Sequence, residues 1–430
     1  MKKLLLILLT FLYGITFLVA ENVSYNISDI KYDIKGSTKP YFLEKRLGIT
    51  KDITFNSIEE IEIYVATLKQ SLDNLRIFED SDVTYSLIGN SVTISIYLDE
   101  AWGIIPFGYP KYNSETGGRV AMKLYWYNSL GTLTNTLIQG GVNIGLNSET
   151  NELEVLTWDT SLSVDKILIL DRFYNISYNQ TLERSNKDDY EWSYLKSKLS
   201  LSSTFNFIKG YNYSPKISII AEYDHKPVNS ITSDAIINEY KVPLSLSYSH
   251  GLGKSSVNWI GNFRDGYSYG ISNSISLVQT HTKEIKPTTE FSLSGSYFKT
   301  FGDLPISIGS KLISTISVNS ELLGLGGNVR GVPSGDLYGT FGIFSNNNVF
   351  IRVIKLENIA EAIFSPHLDF GITDYLKPKI GTGADFILYV DKLKSLVARG
   401  SISLNLSDFD SGTFDWKEDL EIDITSSLFF

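Results

Sequence analysis

The sequence predicts a transmembrane β-barrel preceded by one small α+β domain, and three observations carry that reading. Beyond Glu100 short stretches of alternating apolar and polar residues recur with turn residues between them, and no convincing helix interrupts them. The chain opens with an export signal, and no later apolar run reaches the roughly 18 residues that a membrane helix needs. The last stretch, Leu420, Ile422, Ile424, Ser426, Leu428 and Phe430, alternates with Glu421, Asp423, Thr425 and Ser427 up to a terminal aromatic. An aromatic at that place belongs to the girdle of a barrel at a membrane interface.

Composition narrows the function. The chain has 430 residues, and its 38 Lys and Arg against 48 Asp and Glu leave a net charge of −10. A nucleic-acid binder needs a basic face to displace counterions from phosphates, so that partner class is excluded. With no Cys there are no disulfides, thiolate metal sites, thiol nucleophiles or lipoprotein anchor. The 26 Tyr, 23 Phe and 6 Trp beside 33 Gly suit β-structure better than helix.

Residues 1–20 read as a signal peptide: Lys2 and Lys3 precede the apolar run Leu4 to Ala20, with cleavage after Leu18-Val19-Ala20. Residues 21–100 read as a separate α+β module. Ile27, Ile30, Tyr32 and Ile34 form a first strand, and Pro40 opens a short helix to Leu47 that Gly48 closes. Ser57-Ile58-Glu59-Glu60 is a capping box, followed by Ile61, Val65, Leu68, Leu72 and Leu75 on one helical face. Two alternating strands follow, Val83–Leu87 and Val92–Leu98, turning at Gly89-Asn90.

Residues 101–430 read as the barrel, with an inward-folded loop near 321–340. Leu199, Leu201, Phe205 and Phe207 alternate with Ser200, Ser202, Thr204 and Asn206; Leu244, Leu246 and Tyr248 alternate with Ser245, Ser247 and Ser249. In a soluble protein the apolar face would be core, whereas in a membrane barrel it faces lipid and the polar face lines the lumen. Stretches of ten residues or more match a tilted bilayer-crossing strand. At about 20 residues per strand and turn the span beyond Trp102 holds roughly 16 strands. Direct marking yields about 17, one more than the even number such barrels use. The weakest segment is Gly103–Tyr112, where Pro106 and Pro110 each remove a ladder donor. It is either a poorly paired first strand or a linker.

Several motifs resemble one family. Gly36 after the first strand, Leu75-Arg76-Ile77-Phe78 after the long helix and Asp99-Glu100 at the module's end are similar to a POTRA domain. Asn128-Ser129-Leu130-Gly131 is similar to an N-x-L-G turn early in a barrel, and Gly326-Gly327-Asn328-Val329-Arg330-Gly331 to the V-R-G-F/Y tip of a loop folded into the lumen. The chain thereby resembles the BamA/TamA-like superfamily of outer-membrane assembly and translocation proteins, as a single-POTRA member with a bacterial surface antigen barrel. Val332 replaces the aromatic of the loop tip.

The resemblance implies a barrel of 16 strands and a loop lock in which Arg330 pairs with an aspartate of Leu368-Asp369-Phe370-Gly371. The residues reach the same carboxylate independently: Phe364, Leu368, Phe370 and Ile372 are apolar on alternate positions, which puts Asp369 inside with His367 and Thr373. A guanidinium and a carboxylate can pair there in bidentate fashion. Gly326, Gly327 and Gly331 are expected to let the loop backbone approach the wall closely. A second acid one strand earlier is missing, because Phe350-Ile351-Arg352 stands where Glu-x-Arg belongs. Phe430 is expected to act as the C-terminal barrel signal.

No catalytic residue, metal site or cofactor is expected. His225, His250, His281 and His367 are scattered without zinc spacing, and there is no G-x-S-x-G elbow. His250 reads as a turn residue, and Ser185–Tyr190 as a solvated turn rather than a calcium loop. By the resemblance the chain sits in the outer membrane of a Gram-negative-type bacterium with its module in the periplasm. Its expected partners are unfolded outer-membrane or secreted polypeptides, outer-membrane lipid and periplasmic accessory proteins. The alternative is a passive pore or surface antigen that kept the architecture without assembly activity.

Overall fold

The computed structural model describes residues 24–425 except 114–116, 147–152, 188–189, 209, 226–243, 280–284, 303, 320–322, 334–335, 376–377, 395–396 and 408–418. The predicted leader 1–20 and Phe430 lie outside the described residues.

The N-terminal module runs β1 (Tyr25–Lys35), α1 (Pro40–Leu47), β2 (Thr54–Phe55), α2 (Ile58–Leu75), β3 (Phe78–Ile88) and β4 (Ser91–Glu100). The sheet order is β2-β1-β4-β3, with β1 parallel to β4 and the other pairs antiparallel. Pro40 sits in the first helical turn and Gly48 ends α1 in the left-handed region at φ 68°, its N–H donating to the Glu44 carbonyl. Ser57 Oγ accepts the Glu60 N–H at 3.2 Å, while the Glu60 carboxylate reaches one residue further back, to the Asn56 N–H at 2.7 Å. Alternation puts Val92, Ile94, Ile96 and Leu98 on one face of β4, where they pack in one core with Leu43, Ile61, Leu68 and Leu72 of the helices.

The rest of the chain is wall. Its first strands are β5 (Ile104–Asn113), β6 (Gly117–Ser129), β7 (Thr134–Leu146), β8 (Leu153–Ile169) and β9 (Arg172–Lys187). Next come β10 (Tyr190–Ser203), its continuation β11 (Phe205–Ile208), β12 (Tyr211–His225), β13 (Leu244–Ser255), its continuation β14 (Asn258–Ile260) and β15 (Phe263–Gln279). After β16 (Ile285–Thr300) and β17 (Ile306–Val318), the short β18 (Leu323–Gly324) and β19 (Tyr338–Gly339) pair with each other inside a long loop. The wall then resumes with β20 (Phe341–Leu356), β21 (Ala360–Thr373), β22 (Lys379–Val390), β23 (Val397–Asn405) and β24 (Leu420–Thr425). Among the described residues this makes an antiparallel barrel of 16 strands, closed where β24 meets β5.

Gly103–Tyr112 is therefore not a linker; it supplies the first wall strand. The alternation has the inverted sense. Leu199 and Leu201 are 50% and 46% exposed on the outside, whereas Ser200 between them is 4% exposed and hydrogen-bonds Ser218 of β12 at 2.9 Å within. Ile217, Ile219, Leu244, Leu246, Ile271 and Leu293 continue that outward apolar surface, which suits hydrocarbon and would be a liability in water. His250 corrects its sequence reading: it lies within β13 rather than in a turn, beside the rings of Tyr213 and Tyr248.

At the seam between β24 and β5, the paired residues among those described are Ile422 opposite Tyr112 and Asp423 opposite Lys111. The Tyr127 N–H donates to the Gly103 carbonyl at 2.7 Å, and the β5–β6 register continues unbroken from there. Odd-numbered residues of β5 thus turn their backbone groups to β6, and even-numbered ones turn theirs to β24. Pro106 and Pro110 delete donors from the seam edge, leaving the β5–β6 ladder intact. Extending the register places Ile424 opposite Pro110, and among the described residues the seam pairing stops there.

Turns at one end of the barrel hold the module. At β6–β7 the Glu100 carboxylate accepts from the Thr38 N–H and hydroxyl and from Asn128 Nδ2, while Lys39 N–H donates to the Gly131 carbonyl at 2.9 Å. At β8–β9 Lys45 pairs with Asp171 at 2.8 Å. The largest anchor is Arg76, the left-handed cap of α2. Its Nε donates to the Lys394 carbonyl, Nη1 to the Gly261 carbonyl and Nη2 to Asn262 Oδ1, at 2.9–3.0 Å. The guanidinium also lies 4.4 Å from the Trp259 ring centroid. Burial pulls its pKa below the ordinary value, a shift that the Tyr389, Glu361 and Asp391 side chains oppose.

Arg76→Ala should loosen this joint by on the order of 2 kcal/mol. Hydrogen exchange should accelerate in the last turn of α2 and in residues 258–262, with the barrel wall unaffected. Unchanged protection at both places would show that Arg76 is not the anchor.

Candidate functional site

The loop between β17 and β20 folds back into the barrel. Leu325, Val329, Val332 and Leu337 bury against Phe344 of β20, and Asn346 Nδ2 donates to the Asn328 carbonyl at 2.8 Å. Gly326 and Gly327 lie in a short 3-10 turn of Gly326–Asn328, whose Gly326 carbonyl accepts the Val329 N–H at 2.8 Å. This geometry turns the chain so that Arg330 points at the wall.

Strand alternation supplies the receiving face. Outward Phe364, Leu368 and Phe370 of β21 leave Ser365, His367 and Asp369 inside; outward Phe386 and Leu388 of β22 leave Asp385 inside. Arg330 Nε and Nη2 donate to Asp369 Oδ2 and Oδ1, both at 2.7 Å, in a two-pronged pair. The Arg330 backbone N–H adds a bond to Asp369 Oδ2 at 3.2 Å. Nη1 donates to Asp385 Oδ2 at 3.1 Å, and Nη2 also to Asn348 Oδ1 of β20 at 2.8 Å. The arginine side chain is 3% exposed and both carboxylates are almost wholly enclosed. One cation therefore faces two carboxylates within a dry pocket. His367, whose Nδ1 stands 3.9 Å from Asp385 Oδ1, borders it and shares a hydrogen bond with Ser403 at 3.2 Å.

Close approach depends on Gly331, one of the three loop glycines expected from the sequence, and on a wall glycine that was not expected. Gly331 has φ +81°, and a side chain there would collide with the Leu404 backbone; its N–H donates to Glu421 Oε2 of β24 at 3.0 Å. A side chain at Gly381 of β22 would stand 2.0 Å from the Arg330 carbonyl oxygen. Gly327, by contrast, has open space around it, and neither Gly326 nor Gly327 adopts positive φ. Of the expected glycines Gly331 makes the close approach, and Gly381 of the wall makes room for it.

The structure brings Arg330, Gly331 and Asp369 together, and Phe430 is outside the described residues. Asp385, Asn348 and Glu421 were missed. The absent acid one strand before Asp369 is matched by Asp385 one strand after it. The alternation of Phe386 and Leu388 already put Asp385 inside, but only inter-strand register shows where it stands: Asp385 lies opposite Ser365, and Asp369 lies opposite Gly381, which leaves room for the loop.

No family model and no curated protein matches the chain. Solved structures do. CdiB from Acinetobacter baumannii superposes with a TM-score of 0.60 at 14% identity, over 94% of this chain and 73% of that one. CdiB from Escherichia coli gives 0.59 at 14% identity, over 89% and 73%. BamA from Haemophilus ducreyi lacking POTRA domains 1–3 aligns over 93% of this chain and 84% of its own at 13% identity, with a TM-score of 0.47. The CdiB likeness is one of fold: the chain has the barrel architecture of these proteins.

Arg330→Ala should leave Asp369 and Asp385 buried without their cation, a cost on the order of 3–5 kcal/mol if the pocket stays dry. The barrel should still fold, and limited proteolysis should cut within 323–340 where the parent resists. Arg330→Lys should also be cut, because an ammonium cannot span both Asp369 oxygens and Asn348 at once. A protease-resistant Arg330→Ala would reduce the arginine to an ordinary loop residue.

Proposed function

We propose that this chain is an outer-membrane barrel that receives extended polypeptides on its N-terminal module and assists their insertion into, or passage across, the membrane. The observation that carries the reading is the seam. A closed wall in hydrocarbon should pair every backbone group, yet at the β24–β5 junction the prolines of β5 withhold donors from the strand that must complete the closure. Such an edge separates at lower cost than any other in the wall, and its unpaired carbonyls can accept N–H groups from an incoming strand.

We read the module as a single periplasmic POTRA domain. Among the described residues β3 pairs only with β4, so its outer edge is free to take up an extended segment by strand addition. Docking through Arg76 and Glu100 would hold that edge beneath the barrel mouth. The Arg330 lock then acts as an internal strut, holding β20 to β24 in one shape while the seam works.

A passive pore is the second reading, favoured by the partly exposed inward faces of β12 and β13 away from the loop. Depletion in the native cell followed by a census of outer-membrane proteins separates the two: a broad loss supports assembly, and an unchanged census supports the pore. Lateral opening has its own test. Lys111→Cys with Asp423→Cys joins directly opposed seam positions in a chain without native cysteine. Oxidation should abolish activity and reduction restore it, whereas full activity with the seam locked would reject opening.

A further inference from the structure

The lumen is electrically divided. On the loop-filled side, Asp369 and Asp385 bind Arg330, Asp423 binds Arg399 at 3.2 Å, Glu361 faces Arg352 at 3.1 Å, and Glu421 receives the Gly331 N–H. Here inward residues such as Asn346, Ser365, Ser403 and Asn405 are sealed from solvent. Across the barrel, no loop covers the wall among the described residues. Inward Ser245, Ser247 and Ser249 of β13 are partly exposed, and Lys216 of β12 is exposed.

On this open side Glu222 is neutralised by Lys196 at 2.5 Å and Asp159 by Arg119 at 2.6 Å, while Asp265 and Lys299, paired at 3.3 Å, share the outward face with Tyr267 and Tyr297. Lys198, Lys216 and Lys311 have no carboxylate within ion-pair distance among the described residues. Outward Leu199, Ile217 and Leu312 beside them put all three lysines inside. In the β10–β12 register Lys216 lies opposite Ser202, four residues along from Lys198 on the same face, and Lys311 stands on β17 further round the wall. Among the described side chains, the other inward carboxylates on this side are Asp165, followed directly by Lys166, and Glu290, toward the far end of β16 with Lys286.

We propose that the open half of the lumen is an anion-selective passage whose preference is set by Lys198, Lys216 and Lys311. Cations lining a confined, low-dielectric channel raise the local concentration of anions and repel cations. The ligand class is small inorganic anions, with chloride as the probe. The proposal stands apart from client handling, since it needs neither the seam nor the module's free edge.

The test is the reversal potential of the purified full chain in planar bilayers under a KCl gradient. The parent should show the sign of chloride preference. That preference should weaken when mean salt rises from about 0.1 M to about 1 M, as the Debye length falls from about 10 Å to about 3 Å. The triple variant Lys198→Glu, Lys216→Glu, Lys311→Glu should reverse the sign, and the matching Gln variant should bring the potential close to zero. Heat-dependent migration on gels verifies that each variant is a folded barrel. A parent that passes no current or prefers potassium would overturn the proposal, as would folded Glu and Gln variants that both keep the parental reversal potential.

Discussion

The architecture depends on one constraint: a wall with an apolar outer face has no water beside it, so its backbone N–H and C=O groups must find partners within the wall. Closure follows, because an open sheet would strand two edges. Outward Leu199, Ile217, Ile271 and Leu293 accept the surroundings that closure requires, and the polar half of each strand is pushed inside. Where the constraint is relaxed, the location is informative. Pro106 and Pro110 stand four residues apart on one edge of β5, so both withhold donors on the side that meets the last strand at Lys111 and Tyr112.

Pushing polar groups inward creates a second problem, which the loop lock answers. A guanidinium enclosed among β20, β21 and β22 loses its hydration and must recover it as hydrogen bonds. Asp369, Asp385 and Asn348 supply them from three different strands. Such buried pairs fix geometry more reliably than they add stability. One loop side chain thereby ties together strands that ladder bonds alone would leave free to adjust. Gly331 and Gly381 are the steric condition for that tie, since either side chain would hold the loop away from the wall.

The same logic joins the module to the barrel. Glu100, the last residue of β4, gathers donors from Thr38 and Asn128, while Arg76 reaches two different barrel turns from the end of α2. The module is thus held at both ends of its fold, with β3 left at the outer edge of its sheet. Opposite the filled side of the lumen, Lys198, Lys216 and Lys311 stand without a carboxylate in ion-pair distance among the described residues, on a part of the wall whose inward serines are partly exposed.

The sequence by itself determined the barrel class of the fold, the helices of the N-terminal module and the facing of the residues in its clearly alternating strands. These are local properties: caps, a period of 3.6 in α2 and a period of 2 in those strands. Arg330 and Asp369 were legible because one lies in a glycine-rich motif and the other breaks an otherwise apolar run. Asp385, Asn348 and Glu421 were not, since alternation reveals which face a residue occupies and says nothing of its height against residues on other strands. Which side of β5 its prolines disarm, which turns Arg76 reaches and which inward charges meet were decided by inter-strand register and barrel closure, pairings between segments far apart in the chain that leave no local trace in it.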